Sequence, residues 1–134
     1  MRQFEIDETM PHFTIYGKLP TINDYISACR RNAHCGANMK SDYTNISMWS
    51  MKDIYGMKFN KVVLHYRFFE EKKNRDKDNV FSFATKVVQD AMQELGLIEN
   101  DGWKQIENFT HDFFIDKENP RIEVYIEEVG KEKE

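Results

Sequence analysis

The sequence has little of what a secreted, membrane-spanning or metal-stapled chain would need. No apolar run in its 134 residues approaches the roughly 20 that a membrane helix requires. The first residues also lack the apolar core of a signal peptide. Cysteine is scarce, with only Cys29 and Cys35 present, which fits a reducing compartment better than a disulfide framework. Together with His34 they form a C-x4-H-C cluster. Only three ligands are close in that cluster and the spacing matches none of the usual zinc pairs, so two reduced thiols are expected there. Internal repeats and Gly-, Ser- or Pro-rich linkers are missing too, so one domain over 1–134 is expected. These absences point to a cytoplasmic domain, large enough to bury a core without a disulfide or a structural metal.

A net positive charge is also lacking. The formal charge is -4 at pH 7, which at first argues against a nucleic-acid partner. Its distribution points the other way. Residues 1–15 carry one Arg against three acids, and residues 117–134 carry four basic against six acidic side chains. The segment between them is neutral and contains strongly basic local runs. A protein that handles phosphate through a metal ion also needs acidic ligands, which lower net charge without weakening a phosphate-facing surface. Ten Phe and six Tyr exclude disorder despite a mean hydropathy of -0.71.

What is present reads as alternating elements. Residues 12–18 alternate apolar and polar side chains and read as a strand, stopped by Leu19-Pro20. A helix is expected over about 21–33, then a break at Gly36, then a second helix over about 38–54. Residues 58–70 are rich in β-branched and aromatic side chains and form the clearest strand. After a charged segment, Val80, Phe81, Ala84, Val87, Val88, Ala91, Met92 and Leu95 recur at helical spacing. Asp78 or Asn79 is placed to cap that helix and Gly96 to end it. Two late strands, about 103–115 and 121–128, read as a hairpin joined through Asp116–Pro120. The order strand, helices, strand, helix, strand, strand predicts an α+β domain with helices packed on a mixed or antiparallel sheet.

The chemistry concentrates in 72–104. Asp76 and Asp78 are two residues apart at a strand-to-helix junction, where extended backbone would point both carboxylates the same way. Asp101 follows one helix later. Three converging carboxylates would suit a hard divalent cation such as Mg²⁺ or Mn²⁺, which can polarise a phosphate and activate water. Lys86, on the polar face of the helix, either stabilises charge on the reacting phosphate or pairs with Asp90 at i+4. A plainer account is available as well: Asp-x-Asp-Asn before a helix often only caps it, and Asn100-Asp101-Gly102 is a turn sequence in its own right.

Asp76-x-Asp78-Asn79, then Lys86, Asp90-Ala91 and Asn100-Asp101 together resemble the signature of the RusA family of Holliday junction resolvases. The resemblance extends to the first strand ending in Leu19-Pro20 with Asn23 after it, and to the closing PRIEVYIEE. The DGWKQI after the acidic turn is most similar to forms carried by Gram-positive bacteria and their prophages. Two departures stand out against the enterobacterial form. About four extra residues precede Lys86, close to one helical turn, so Lys86 keeps its face but shifts along the axis. Asn100 also stands where that form has a second Asp.

The resemblance implies a bacterial, RusA-like endonuclease, of host or prophage origin, that acts as a homodimer. It would nick opposing strands of a four-way DNA junction with Mg²⁺ or Mn²⁺, using Asp76, Asp78 and Asp101 as metal ligands and Lys86 beside them. Two-fold symmetry of the protein would match that of the junction. Lys72, Lys73, Arg75 and Lys77 bracket the first two aspartates and are candidates for phosphate contact, as are Arg30, Arg31 and Lys40. The plainer alternatives are a solvated charged loop and, for the arginines, compensation of a helix carboxyl end. Lys18 and Asn23 are weaker candidates. Trp103 is expected in the core or an interface rather than as a base-stacking wedge, and His65 and His111 receive no role. Two neighbouring functions share these residues: a broader branched-DNA or flap nuclease, and an inactive junction-binding protein.

Overall fold

The strand with the most continuous apolar character ends up inside the sheet, with a neighbour on each side. In the computed structural model, which describes residues 7, 9–99 and 102–129, the elements in chain order are β1 (His12–Tyr16), α1 (Ile22–Arg31), α2 (Ala33–Ser50), β2 (Val62–Glu70), α3 (Lys77–Glu94), β3 (Ile106–Ile115) and β4 (Arg121–Glu128). A short 3₁₀ turn, Lys52–Ile54, follows α2. The four strands form one mixed sheet in the order β1-β4-β2-β3. β4 is antiparallel to both β1 and β2, whereas β3 is parallel to β2. The α+β expectation of helices on a mixed sheet is met.

The core lies on one face of that sheet. Phe13 and Ile15, Leu64, Tyr66 and Phe68, and Ile122, Val124 and Ile126 share it with Val80, Phe83, Val87, Val88, Ala91 and Met92 of α3. The opposite face is held by charge and rings. Arg121 binds Asp116 and Glu123, each at 2.8 Å, and its guanidinium stands 3.8 Å over the Phe69 ring. Arg121 holds the Asp116 carboxyl below its ordinary pKa through their hydrogen bond. His65 is buried on this face, with Nδ1 2.8 Å from Thr110 Oγ1 and Nε2 2.8 Å from Glu127 Oε1. Among the described residues no helix is long and apolar enough to cross a membrane.

Three expectations about the elements are corrected. First, β3 and β4 do not form a hairpin, because β2 lies between them. Residues 116–120 instead carry the chain across the end of β2, with Asp116 N donating to Glu70 O. Second, the break between the first two helices falls at Asn32, in extended backbone (φ -173, ψ 168), whose side chain caps α2 by accepting from Cys35 N. Gly36 lies inside α2 and is buried against α1. A Cβ there would stand 2.5 Å from Cys29 Sγ and 3.1 Å from Cys29 Cα. Third, the cap residue of α3 is Asp76, and Asp78 sits inside the first turn.

Gly36 thus permits close helix packing, and this gives a test. Gly to Ala in an exposed helix interior stabilises by roughly 1 kcal/mol. Here Gly36→Ala is expected to destabilise by about 1–3 kcal/mol through overpacking, seen as a lower Tm. Adding Cys29→Ala should recover part of the loss, since the sulfur is the nearest obstacle.

Gly96 ends α3 as expected. With φ +76 it accepts the left-handed conformation, and the bonds Leu97 N to Met92 O and Gly96 N to Gln93 O form a Schellman closure. The chain then turns back to the start of β2, where Phe59 N donates to Leu97 O at 2.8 Å.

Candidate functional site

Each of the first two helices uses a side chain to cap itself. α1 begins on a full capping box, with Asp24 N donating to Thr21 Oγ1 and Thr21 N to Asp24 Oδ2. α2 begins on the Asn32 side chain. α3 differs: Asp76 occupies the cap position, yet its carboxylate makes no capping bond. Both Asp76 and Asp78 are exposed. The Asp78 carboxylate accepts from the adjacent Asn79 N, at 3.0 Å, while its carbonyl accepts from Ser82 Oγ at 2.6 Å, and neither aspartate forms an ion pair among the described residues. These two carboxylates at a helix amino end are therefore unspent on the fold, in a place where the helix field favours negative charge. The expectation that extended backbone aligns them is corrected, because only Asp76 is extended (φ -68, ψ 136) and Asp78 is helical.

They border adjoining clefts. Asp78 lines an open cleft of about 440 Å³ with Lys77, Phe81, His111, Asp112 and Phe113. Asp76 lines another of about 510 Å³, with Glu70, Lys72 and Lys73 along its wall. Lys77 and Phe113 belong to both, and the Lys77 ammonium stands 5.4 Å from the Phe113 ring centre. Sequence reasoning misses Asp112, His111 and Phe81. The last two stack at 4.2 Å, and the parallel pairing of β3 with β2 is what brings His111 beside Phe81 of α3.

Arg75 is a clamp. Its guanidinium binds Glu70 through Nε (2.9 Å) and Nη2 (3.0 Å) and donates from Nη1 to Leu19 O (2.7 Å). The two side chains are only 17% and 12% exposed. The clamp ties the end of β2 and Leu19, three residues after β1, to the loop that presents Asp76. Lysine cannot reproduce a bidentate fork, so Arg75→Lys is expected to destabilise by about 1.5–3 kcal/mol in urea unfolding. Glu70 is signalled in the sequence only by being an acid at the end of a strand and just ahead of a basic loop.

The other predicted residues scatter. Lys72, Lys73 and Lys77 are exposed beside the clefts. Arg30 and Arg31 are exposed in the last turn of α1. Lys40 lies in a cleft between α2 and α3, bound to Asp90 at 3.2 Å. The salt bridge of Asp90 is thus with Lys40 and not with Lys86. Lys86 is exposed and lines neither aspartate cleft; eight residues after Asp78, it lies about 12 Å further along the helix axis. Lys18 pairs with Glu71 at 3.1 Å and holds that carboxyl below its ordinary pKa. Trp103 is not a core residue, being 96% exposed.

Asp101 and Asn100 lie outside the described residues. Their neighbours Glu99 and Gly102 do not, and both are tied to the beginning of β2. Glu99 N donates to the Gln105 side chain, which in turn donates to Asn60 O at 2.6 Å. Ile106 N donates to Gly102 O, and Ile106 pairs with Val62. Asp76 and Asp78 stand beyond the other end of β2. α3, 18 residues and so about 27 Å long, separates the two places within one chain.

No protein-family model matches this chain, and no curated protein matches it. The site therefore stands on its own residues. Among the described residues no group of three or more His, Cys, Asp or Glu side chains is gathered to hold a metal ion; Cys29 and Cys35 are free thiols. Mg²⁺, however, is commonly held by one or two carboxylates, with waters and substrate phosphates completing its shell. The oxygen-only pair Asp76 and Asp78, exposed and without a cationic side chain bound to either among the described residues, fits that demand.

Proposed function

We propose that this chain is a metal-dependent endonuclease of the RusA type, which as a homodimer resolves four-way DNA junctions by paired nicks in opposing strands. The observation that carries the reading is the Asp76 carboxylate: it sits at the cap of α3, makes no cap, and stands with Asp78 beside a basic loop. A purely structural Asp-x-Asp would have its first carboxylate on the helix amides, as Thr21 and Asn32 are on theirs.

In this reading Asp76 and Asp78 hold Mg²⁺ or Mn²⁺. When bound, such an ion polarises the scissile phosphate and lowers the pKa of a bound water. Lys72, Lys73 and Lys77 neutralise neighbouring phosphates, while the Arg75 clamp fixes the loop that carries Asp76. Asp101, the third carboxylate of the resemblance, has its flanking residues at the far end of α3, so we assign it to the site of a second copy. A two-fold dimer then has two equivalent sites, one for each strand to be cut.

The test is cleavage of a labelled synthetic four-way junction with Mg²⁺ or Mn²⁺, beside a flap and a linear duplex. Symmetric nicks in the junction, with little cutting of the other two, are the expected result. Equal cutting of the flap would redefine the protein as a broader branched-DNA nuclease. Junction binding without cutting would make it a binding protein, and inertness toward all three substrates from folded protein would sink the reading.

A further inference from the structure

We infer that two copies of this chain join along the outer edge of β3, antiparallel, about a two-fold axis near His111. The inference rests on the reading above, in which the site takes a residue from a second copy, and it names the surface that brings the two together.

Among the described residues β3 is the last strand of the sheet and pairs only with β2. Natural edge strands are blunted by shortness, proline, lysine or bulges, because their free amides and carbonyls recruit other strands. The other edge, β1, is five residues long between Pro11 and Gly17. β3 has ten residues, IENFTHDFFI, with no proline, glycine or lysine, and its bulge is confined to the first end, at Glu107, leaving Asn108–Ile115 regular. Its helix-facing side is also incompletely covered. Phe109 and Ile115 are 36% and 48% exposed, and His111, though stacked on Phe81, is exposed as well. They form a largely apolar shelf running along the edge beside α3.

Symmetry restricts how such a strand meets its own copy. A two-fold axis perpendicular to the sheet makes the pairing antiparallel, and opposed residues in an antiparallel pair share a face. With His111 facing itself, Phe109 of one copy comes opposite Phe113 of the other, and the bulge at Glu107 comes beside Ile115. Ile115 lines the cleft walled by Lys72 and Lys73, so Glu107, half-exposed and paired in its own chain with Lys61 at 3.4 Å, comes beside a basic loop of the other copy.

The same pairing serves the site. The first end of β3 is bonded to the Gly102 turn and its last residue lines the Asp76 cleft. Antiparallel apposition lays the first end of one copy against the last end of the other, at both sites simultaneously. Pairing through β1 would leave both clefts on the outside.

Single cysteines placed at Thr110, His111 and Asp112, and at Thr14 of β1, in a Cys29→Ser, Cys35→Ser background, provide the test. Mild oxidation is expected to give a covalent dimer from one of the three β3 positions, where a residue faces its own copy at disulfide distance, and none from Thr14. Phe109→Lys should raise the dimer dissociation constant at least 100-fold in sedimentation, with the thermal transition retained. A disulfide dimer at Thr14, none along β3, or an unchanged dimer constant for Phe109→Lys would each overturn the interface. Cleavage separates this from the functional reading: junction cutting by protein that links nowhere along β3 sinks the interface alone. A β3-linked dimer inert on branched DNA sinks the nuclease alone.

Discussion

Asp78→Asn protein is expected to fold normally and to lose metal-dependent cutting of a four-way junction by on the order of a thousand-fold. The fold is spared because Asp78 is exposed and its carboxylate accepts from the neighbouring amide, a bond that an asparagine oxygen can also accept. The change removes a favourable charge from the first turn of α3, worth about 0.3–1 kcal/mol at such a surface position. The reaction is not spared, because a metal ion contributes several kcal/mol of charge stabilisation at a phosphoryl centre, and each 1.36 kcal/mol is about tenfold in rate. Asparagine keeps the shape but supplies no charge to hold the ion. Asp53→Asn is the control: an exposed acid in the 3₁₀ turn after α2 that lines neither aspartate cleft. Single-turnover cleavage of a labelled junction in Mg²⁺ reads both. If Asp78→Asn retained more than a tenth of the parental rate, Asp78 would not be a metal ligand.

The sequence was legible where a single chemical pattern decides the outcome. Gly96 stops α3 because it alone takes a positive φ there without strain. The apolar residues of α3 face the sheet as their spacing predicts. What misled was adjacency. Two strands joined by a short connector suggest a hairpin, since consecutive strands are neighbours roughly two-thirds of the time. β2 displaces that pairing because it is the more apolar strand, with Leu64, Tyr66 and Phe68 fully buried on one face and His65 buried on the other. A strand with that character belongs inside a sheet, and the more polar β3 goes to the edge. Gly36 misled for the opposite reason. Glycine usually signals a break, but here it signals a neighbour too close for a side chain.

At the candidate site the motif gave the identity of the carboxylates but not their company. Nothing in the spacing of Asp76 and Asp78 reveals whether the first one caps its helix; that depends on side-chain direction. Nor could Arg75 be told from the lysines beside it, since its role is set by Glu70 and the Leu19 carbonyl, 56 residues away in the chain. The parallel direction of β3 was equally hidden. It keeps the flanks of the acidic turn at the start of β2, away from the Asp76 end.

That separation leads to the second large effect. Asp78→Asn and Asp101→Asn proteins should each be inactive alone, yet a mixture of the two should cut. In a mixed dimer with shared sites, one site receives the substituted residue from both chains and is lost twice over. The other receives native Asp at both positions and is intact. Random exchange makes half of the dimers mixed, so the mixture should recover about a quarter of parental nicking, because each mixed dimer has one intact site out of two. The product should be distinctive as well: a junction nicked on one strand, with no paired incision. Sites built within single chains predict the reverse, since each site of the mixed dimer would then carry one asparagine. A denaturing gel of a junction labelled on two opposing strands separates the outcomes, and a mixture as inert as its components would place Asp101 outside any site shared with Asp78.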